Sequence, residues 1–410
     1  MARLLHLWMK TDLQSRPKSF RRSALFLAAF LFLSACQPVR AGTVTVPTVD
    51  LPTLIPTPTT TPTQTPLPTS TATLPVFTPT PLPPSPTPTL TLTSTPAMPP
   101  LTTLLFTGVI VPARCVQAAL DANGNPDYPY EEVRQVISEA DISIGAFNAT
   151  MSERVQHTGC VESYQLVGSP QNADALSRAG FDVMSVATNH IKDCGPMKGW
   201  CDYTFSDTLD NFRRVSILTV GAGKDLQQAL QPVVVTVNGI RFGFVSLGNI
   251  KMDPVVFATD TRPGIGLLNE ENIHLAVAAA RQVSDVVIFM PHWGPEDDMH
   301  PSSNQQELAR VIAAADVDLV VGNHSHVVQG VQELNGLQVF YSLGNFVFDQ
   351  NWSDHRQGVI LLVHFEGTRV VGYEFIPTRT DRDGRVHIAG PQEAQEILQR
   401  IEQSSQSLGH

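Results

Sequence analysis

The stretch Val317-Asp318-Leu319-Val320-Val321-Gly322-Asn323-His324-Ser325-His326-Val327-Val328-Gln329-Gly330 decides how this 410-residue chain is read. Its first five residues form a short apolar run of the kind a buried strand has, and two imidazoles follow directly. Residues two apart in an extended segment project from the same side, so His324 and His326 are expected to reach one ion. Two solvated loop histidines are the plain alternative.

Working outward, the same plan recurs. Ala187-Thr188-Asn189-His190 follows the apolar stretch 182–186, and Pro291-His292-Trp293-Gly294 follows a run ending at Met290. Strand patterns at 103–111, 142–147, 182–187, 233–237, 241–247, 285–290, 317–321, 339–342 and 359–365 alternate with helical spacing at 130–140, 171–179, 205–214, 271–283 and 304–315. Asn238-Gly239 supplies the turn of a tight hairpin. Alternation of this sort predicts an α/β fold. Ligand sites in α/β sheets gather beyond the carboxyl ends of strands, so the three histidine-bearing strand ends are expected to converge. Taken singly, His190 and His292 read as hydrogen-bonded structural residues.

The amino-terminal hundred residues carry no such pattern. Arg16, Lys18, Arg21 and Arg22 precede an apolar run at 24–33, the plan of a signal peptide occupying 1–35. Ten apolar residues span about 15 Å as a helix, short of a bilayer core of about 30 Å, which disfavours a permanent membrane span. Leu33-Ser34-Ala35-Cys36 resembles a bacterial lipobox and predicts lipidation at Cys36, anchoring the protein on the extracytoplasmic face of a membrane of the bacterial envelope. The anchored cysteine and the following residues to 100 form a stalk: 42–100 is nearly all Pro and Thr, with Asp50 its only charge, and cannot bury enough apolar surface to fold. In polyproline II geometry its roughly 58 residues reach at most about 180 Å. A globular domain is expected over 101–404, with 405–410 a tail. Removal of 1–35 takes away six bases and one acid and lowers the net charge from −11 to −16, which argues against nucleic acid as a partner.

Once Cys36 is assigned to lipid, Cys115, Cys160, Cys194 and Cys201 remain, and an exported chain is free to oxidise them. Four cysteines allow three pairings. Cys194 with Cys201 is the preferred local bridge, because it closes a short loop containing Gly195, Pro196 and Gly199. A zinc site is the rival, but neither C-x-x-C spacing nor a nearby histidine pair supports it.

Six ordered motifs resemble the CapA family of poly-γ-glutamate capsule proteins over nearly all of 103–377: T-G-V-I-V-P-A-R at 107–114, F-N-A-T at 147–150, A-T-N-H-I-K-D-C-G at 187–195, H-W-G-P-E at 292–296, V-G-N-H-S-H-V-V-Q-G at 321–330 and Y-S-L-G-N-F-V-F-D at 341–349. That family looks like a branch of the calcineurin-like metallophosphatases. The resemblance implies a four-layer α/β/β/α sandwich with a metal site at one rim. It also implies Asn189, His292, His324 and His326 as residues at the metal, and His190 as donor of a proton or hydrogen bond to the reacting oxyanion. Arg114 falls on a family-like position, either binding an anionic substrate or forming a buried ion pair, and Asn345 is the polar candidate of the last motif. The implied role is capsule or envelope-polymer metabolism with an extracellular polymer as partner, either as a single-metal hydrolase or as a non-catalytic binding or anchoring module.

Two departures bear on the metal. The family has Gly-Asp after its first strand and Asn-Leu-Glu at its second, whereas this chain has Gly108-Val109 and Asn148-Ala149-Thr150. Two divalent ions about 3.5–4 Å apart repel by on the order of 17–19 kcal/mol at an effective dielectric near 20, and neutral imidazoles do not offset that. The expectation is therefore one divalent ion, Zn²⁺ or Mn²⁺, or none. Glu153, Glu296 and Asp297 read as solvated loop charges, and Asp193 as a loop carboxylate with a structural role.

Overall fold

Along the strand Val286–Trp293 successive side chains part company: Val286, Ile288 and Met290 enter one apolar core, while Val287 and Phe289 enter another. The first strand, Leu101–Ile110, does the same, sending Leu104 and Phe106 to the first of these cores and Leu105 to a third. Strands buried on both faces read as unbroken apolar runs, and the period of two becomes visible only when the partners are in place.

The computed structural model describes residues 101–195, 199–249 and 254–408. The signal segment, Cys36 and the Pro/Thr stalk lie outside the described residues. No helix among the described residues is long and apolar enough to cross a membrane.

Two sheets carry the fold. The first runs Val386–Ile388, Arg369–Thr380, Gln357–Glu366, Leu101–Ile110, Ile142–Phe147, Val183–Ser185 and Leu218–Val220 in spatial order, with Asn345–Val347 paired beside the end of Leu101–Ile110. The second runs Val331–Leu334, Leu337–Phe340, Leu319–Val321, Val286–Trp293, Ile240–Asn249 and Val233–Val237. Their inner faces share a core in which Leu104, Phe106 and Ile144 meet Phe242, Phe244 and Ile288. Helices Cys115–Asn123, Arg134–Glu139, Gln171–Ala179 and Asp202–Arg214 cover the outer face of the first sheet, and Glu270–Val283 and Ser303–Ala314 cover that of the second. This is the four-layer α/β/β/α sandwich.

Local chemistry accounts for the covering helices. Ser302 and Gln305 form a reciprocal capping box ahead of Ser303–Ala314, and Asn269 accepts the Asn272 amide ahead of Glu270–Val283. Gln171–Ala179 ends on Gly180 in left-handed conformation. The helix expected at 130–140 is split into a 3₁₀ turn, Tyr128–Tyr130, and Arg134–Glu139. Several elements lie outside the expected set, among them the helix Cys115–Asn123, the short strands Leu218–Val220, Val331–Leu334, Asn345–Val347 and Val386–Ile388, the long hairpin strand Arg369–Thr380, and the helix Pro391–Gln406. The last places Ile397 and Ile401 into the gap between the two sheets, and Leu408 beyond it is buried. Ordered structure therefore runs past the expected boundary at 404 to Leu408, and the end of the helix is held by the Ser404 and Ser405 hydroxyls, which accept the Gly330 and Val331 amides at 2.8 Å.

Candidate functional site

Parallel strands in both sheets end at one rim, and the polar segments that follow them meet there. Asn148, directly after Ile142–Phe147, accepts the His190 amide at 3.0 Å through Oδ1. Thr188 donates to the Phe147 carbonyl at 2.9 Å. In the second sheet the Trp293 amide donates to the Asn323 carbonyl and the Asn323 amide to that of Pro291, both at 3.0 Å, fixing the H-S-H loop against the strand that bears His292.

The structure brings Asn189, His292, His324 and His326 together, all at most 6% exposed. Asn189 Oδ1 lies 3.0 Å and His324 Nδ1 3.1 Å from His292 Nε2. Donors on one tetrahedral ion with bonds of about 2.05 Å are about 3.3 Å apart, so the spacing fits a shared ion. Burial pushes His292 well below its ordinary range and His324 to about 3, so both rings are neutral and carry lone pairs at neutral pH. His326 is lowered for the same reason. Its Nδ1 faces Asn345 Oδ1 at 2.8 Å, and the Asn345 amide nitrogen donates to the carbonyls of His326 and His355, so Asn345 sets the orientation of a histidine.

The H-x-H geometry differs from the extended segment expected. His324 and His326 have φ of 112° and 60°, and a tight turn rather than strand pleating aims both rings at one place.

Glu296 is more than a solvated loop charge. It is exposed, as a solvated charge would be, yet a carboxylate oxygen and one ring nitrogen each from His324 and His326 lie within 4.8 Å of one another. It sits four residues beyond His292, on the loop that the Asp297 amide ties to the Ser325 carbonyl at 2.9 Å. Glu296 thus brings one negative charge to the donor set, while Val109 is packed in apolar core and Thr150 donates to the Asp193 carbonyl. Glu153 remains exposed, its carboxylate 3.4 Å from the Gln171 side-chain amide. Two overlapping groups of donors result, Asn189 with His292 and His324, and Glu296 with His324 and His326, and these are the residues that could hold a divalent ion.

His190 stands beside this cluster. Its Nδ1 is 2.7 Å from Asp193 Oδ2, which also accepts the Leu166 amide at 2.7 Å. Asp193 is fully buried and desolvation raises its pKa, opposed by the His190 charge. The carboxylate orients the imidazole, a role beyond the purely structural one expected. Arg114 grips Asp349 through Nε and Nη2 and donates from Nη1 to the Ser163 carbonyl at 2.9 Å, the ion-pair alternative of the two weighed. Both it and His190 line a cavity of about 490 Å³ that reaches His326 and Glu296. The cysteines pair as Cys115–Cys160 and Cys194–Cys201.

Fold and site together define the class: a four-layer α/β/β/α sandwich with a histidine-rich donor set at one rim. Within that class, residues 103–350 match the family described as Bacterial capsule synthesis protein PGA_cap, and the chain belongs to that family. It is 28% identical over 273 residues to the PGA biosynthesis protein CapA of Bacillus subtilis (strain 168), covering 66% of this chain and 70% of that one. It is 27% identical over 281 residues to the capsule biosynthesis protein CapA of Bacillus anthracis, covering 67% and 66%. Among solved structures, a putative 5'-nucleotidase from Staphylococcus aureus is similar with a TM-score of 0.42 at 14% identity, covering 74% of this chain and 58% of that one.

Proposed function

We propose that this protein is a lipid-anchored extracytoplasmic member of its family that acts on a capsule or other envelope polymer, as a hydrolase using one divalent ion. The names of its relatives support the polymer class, poly-γ-glutamate among them. The observation that carries the reading is the buried meeting of Asn189, His292, His324 and His326, with Glu296 in reach, beside an aspartate-held His190.

A divalent ion held there by Asn189, His292, His324, His326 and Glu296 would supply Lewis acidity. The protein's own groups do the rest. Asp193 accepts a hydrogen bond from His190 Nδ1–H and leaves Nε2 as the nitrogen that exchanges a proton with the leaving oxygen or nitrogen. Asn345 holds His326 in place, and Arg114 fastens two loops of the cavity wall.

A non-catalytic polymer-binding module is the second reading, favoured by Val109 and Thr150 standing where the family's carboxylates are. Elemental analysis of the full chain in detergent, with phosphodiesterase and γ-glutamyl hydrolase screens in Mn²⁺ and Zn²⁺, separates the two. About one ion per chain, lost in His324→Ala/His326→Ala together with turnover, is the expected result. Metal-free protein without turnover that still binds polymer refutes the hydrolase.

A further inference from the structure

The cavity that reaches His190 and His326 has walls unlike those of a polyanion site. Tyr164 and Trp352 both line it, and they are 83% and 70% exposed, the two most exposed large apolar side chains among the described residues. Phe348, also on the wall, lies against the His326 ring with centroids 5.4 Å apart. Large aromatic faces left open inside a cavity are surfaces awaiting an apolar partner.

The loops that carry these faces are held in place. Arg114 Nη1 donates to the Ser163 carbonyl, next to Tyr164, while its Nε and Nη2 grip Asp349, three residues before Trp352. One guanidinium thereby straps together the two loops that carry the aromatics. Cys160, bonded to Cys115 beside Arg114, anchors the Tyr164 loop a second time. On the far side of Trp352, His355 Nε2 is 3.2 Å from Asp297 Oδ1. A wall positioned in advance keeps its ordering cost out of binding.

Apart from Arg114 and the imidazoles, the charged side chains on the wall are acids. Glu162, Glu296 and Asp297 line the cavity, whereas its one arginine, Arg114, is engaged by Asp349 and a carbonyl, and no lysine lines it among the described residues. Away from the ion position at Glu296 and His326, a polymer with a carboxylate on each unit would meet Glu162 and Asp297 with no free guanidinium or ammonium to receive it. Hydroxyl groups suit the same wall, because carboxylates accept O–H donors strongly and an aromatic face takes the C–H side of a saturated ring.

Building on the polymer-acting site proposed above, we infer that Tyr164 and Trp352 form a subsite for an uncharged sugar unit of an envelope glycan, with Glu162 and Asp297 receiving its hydroxyls. The sugar ring lies on the aromatic faces and places the adjoining linkage toward His190.

Calorimetric titration of the full chain in detergent tests this, using uncharged tetrasaccharides of N-acetylglucosamine, glucose and galactose against a γ-linked glutamate tetramer. At least one tetrasaccharide is expected to bind. Trp352→Ala should weaken that binding by about tenfold or more, with Trp352→Phe closer to wild type, and the glutamate tetramer should bind more weakly than the sugar. Trp352 is exposed, so its truncation leaves the core intact, and an unchanged unfolding midpoint checks this. Tighter binding of the glutamate tetramer, sugar binding indifferent to Trp352→Ala, or no binding by any tetrasaccharide each overturns the inference. Metal content measured on the same preparations keeps the two proposals apart: Trp352-dependent sugar binding by metal-free protein sinks the hydrolase and leaves the subsite standing.

Discussion

Removing the Cys115–Cys160 bridge should destabilise the domain more than removing Cys194–Cys201, and the two loop lengths set by how much. The bridges close segments with sequence separations of 45 and 7. In the chain-entropy model the denatured state loses 2.1 plus 1.5R ln n cal/mol/K on cross-linking, which gives about 4.0 kcal/mol at 25 °C for the long loop and about 2.4 for the short one. The long loop contains the central strand Ile142–Phe147, so its closure restrains a piece of the core. The paired variants Cys115→Ala/Cys160→Ala and Cys194→Ala/Cys201→Ala, unfolded in urea and followed by tryptophan fluorescence, should differ by about 1.6 kcal/mol. Trp293, fully buried against Tyr341 with ring centroids 5.5 Å apart, reports the second sheet, and Trp200 reports the neighbourhood of the short loop. Equal losses, or a larger loss for the short loop, refute loop closure as the dominant effect and assign the stability to local contacts instead.

Three further outcomes follow from particular contacts. Asp193→Asn should lower turnover by about 10²–10⁴-fold in the hydrolase screen without changing metal content, because it removes the charge that holds His190 Nδ1 while the Leu166 amide keeps an acceptor. Gly108→Ala should cost about 1–3 kcal/mol in urea unfolding, since its Cβ would fall 2.2 Å from the Gly344 carbonyl oxygen, backbone against backbone in the middle of the first sheet. Asp285, held at about 2 by hydrogen bonds from Arg241, binds its proton less readily folded than unfolded. Its contribution is therefore present above the unfolded pKa near 4 and lost as pH falls toward about 2, so Asp285→Asn should flatten the acid limb of a stability-versus-pH curve, and more so at low salt.

Periodicity and composition alone settle a good deal of this protein. Apolar runs of strand length between helical stretches determine the α/β class, because both periods follow from backbone geometry and need no partner. The same logic located the strand ends that carry His190, His292, His324 and His326, since a polar cluster after a buried strand has to emerge at a sheet edge. The helix Pro391–Gln406 was hidden for the opposite reason: its mean character is polar, and its meaning lies in Ile397 and Ile401 meeting a gap between sheets that exists only after both have formed. Glu296 shows the limit most sharply. In the chain it is one acid on a loop among Pro295, Asp297 and Asp298, and nothing local separates it from a solvated charge. Its place at His324 and His326 comes from the Asp297–Ser325 backbone bond and from left-handed turns at both histidines. Arg114 likewise acquires its role only when loops near 163 and 349, far apart in sequence, close on its two faces. Local spacing dictates which residues arrive at the rim; long-range closure of the two sheets decides which of them touch, because contact between distant residues depends on where both ends of the intervening chain are held.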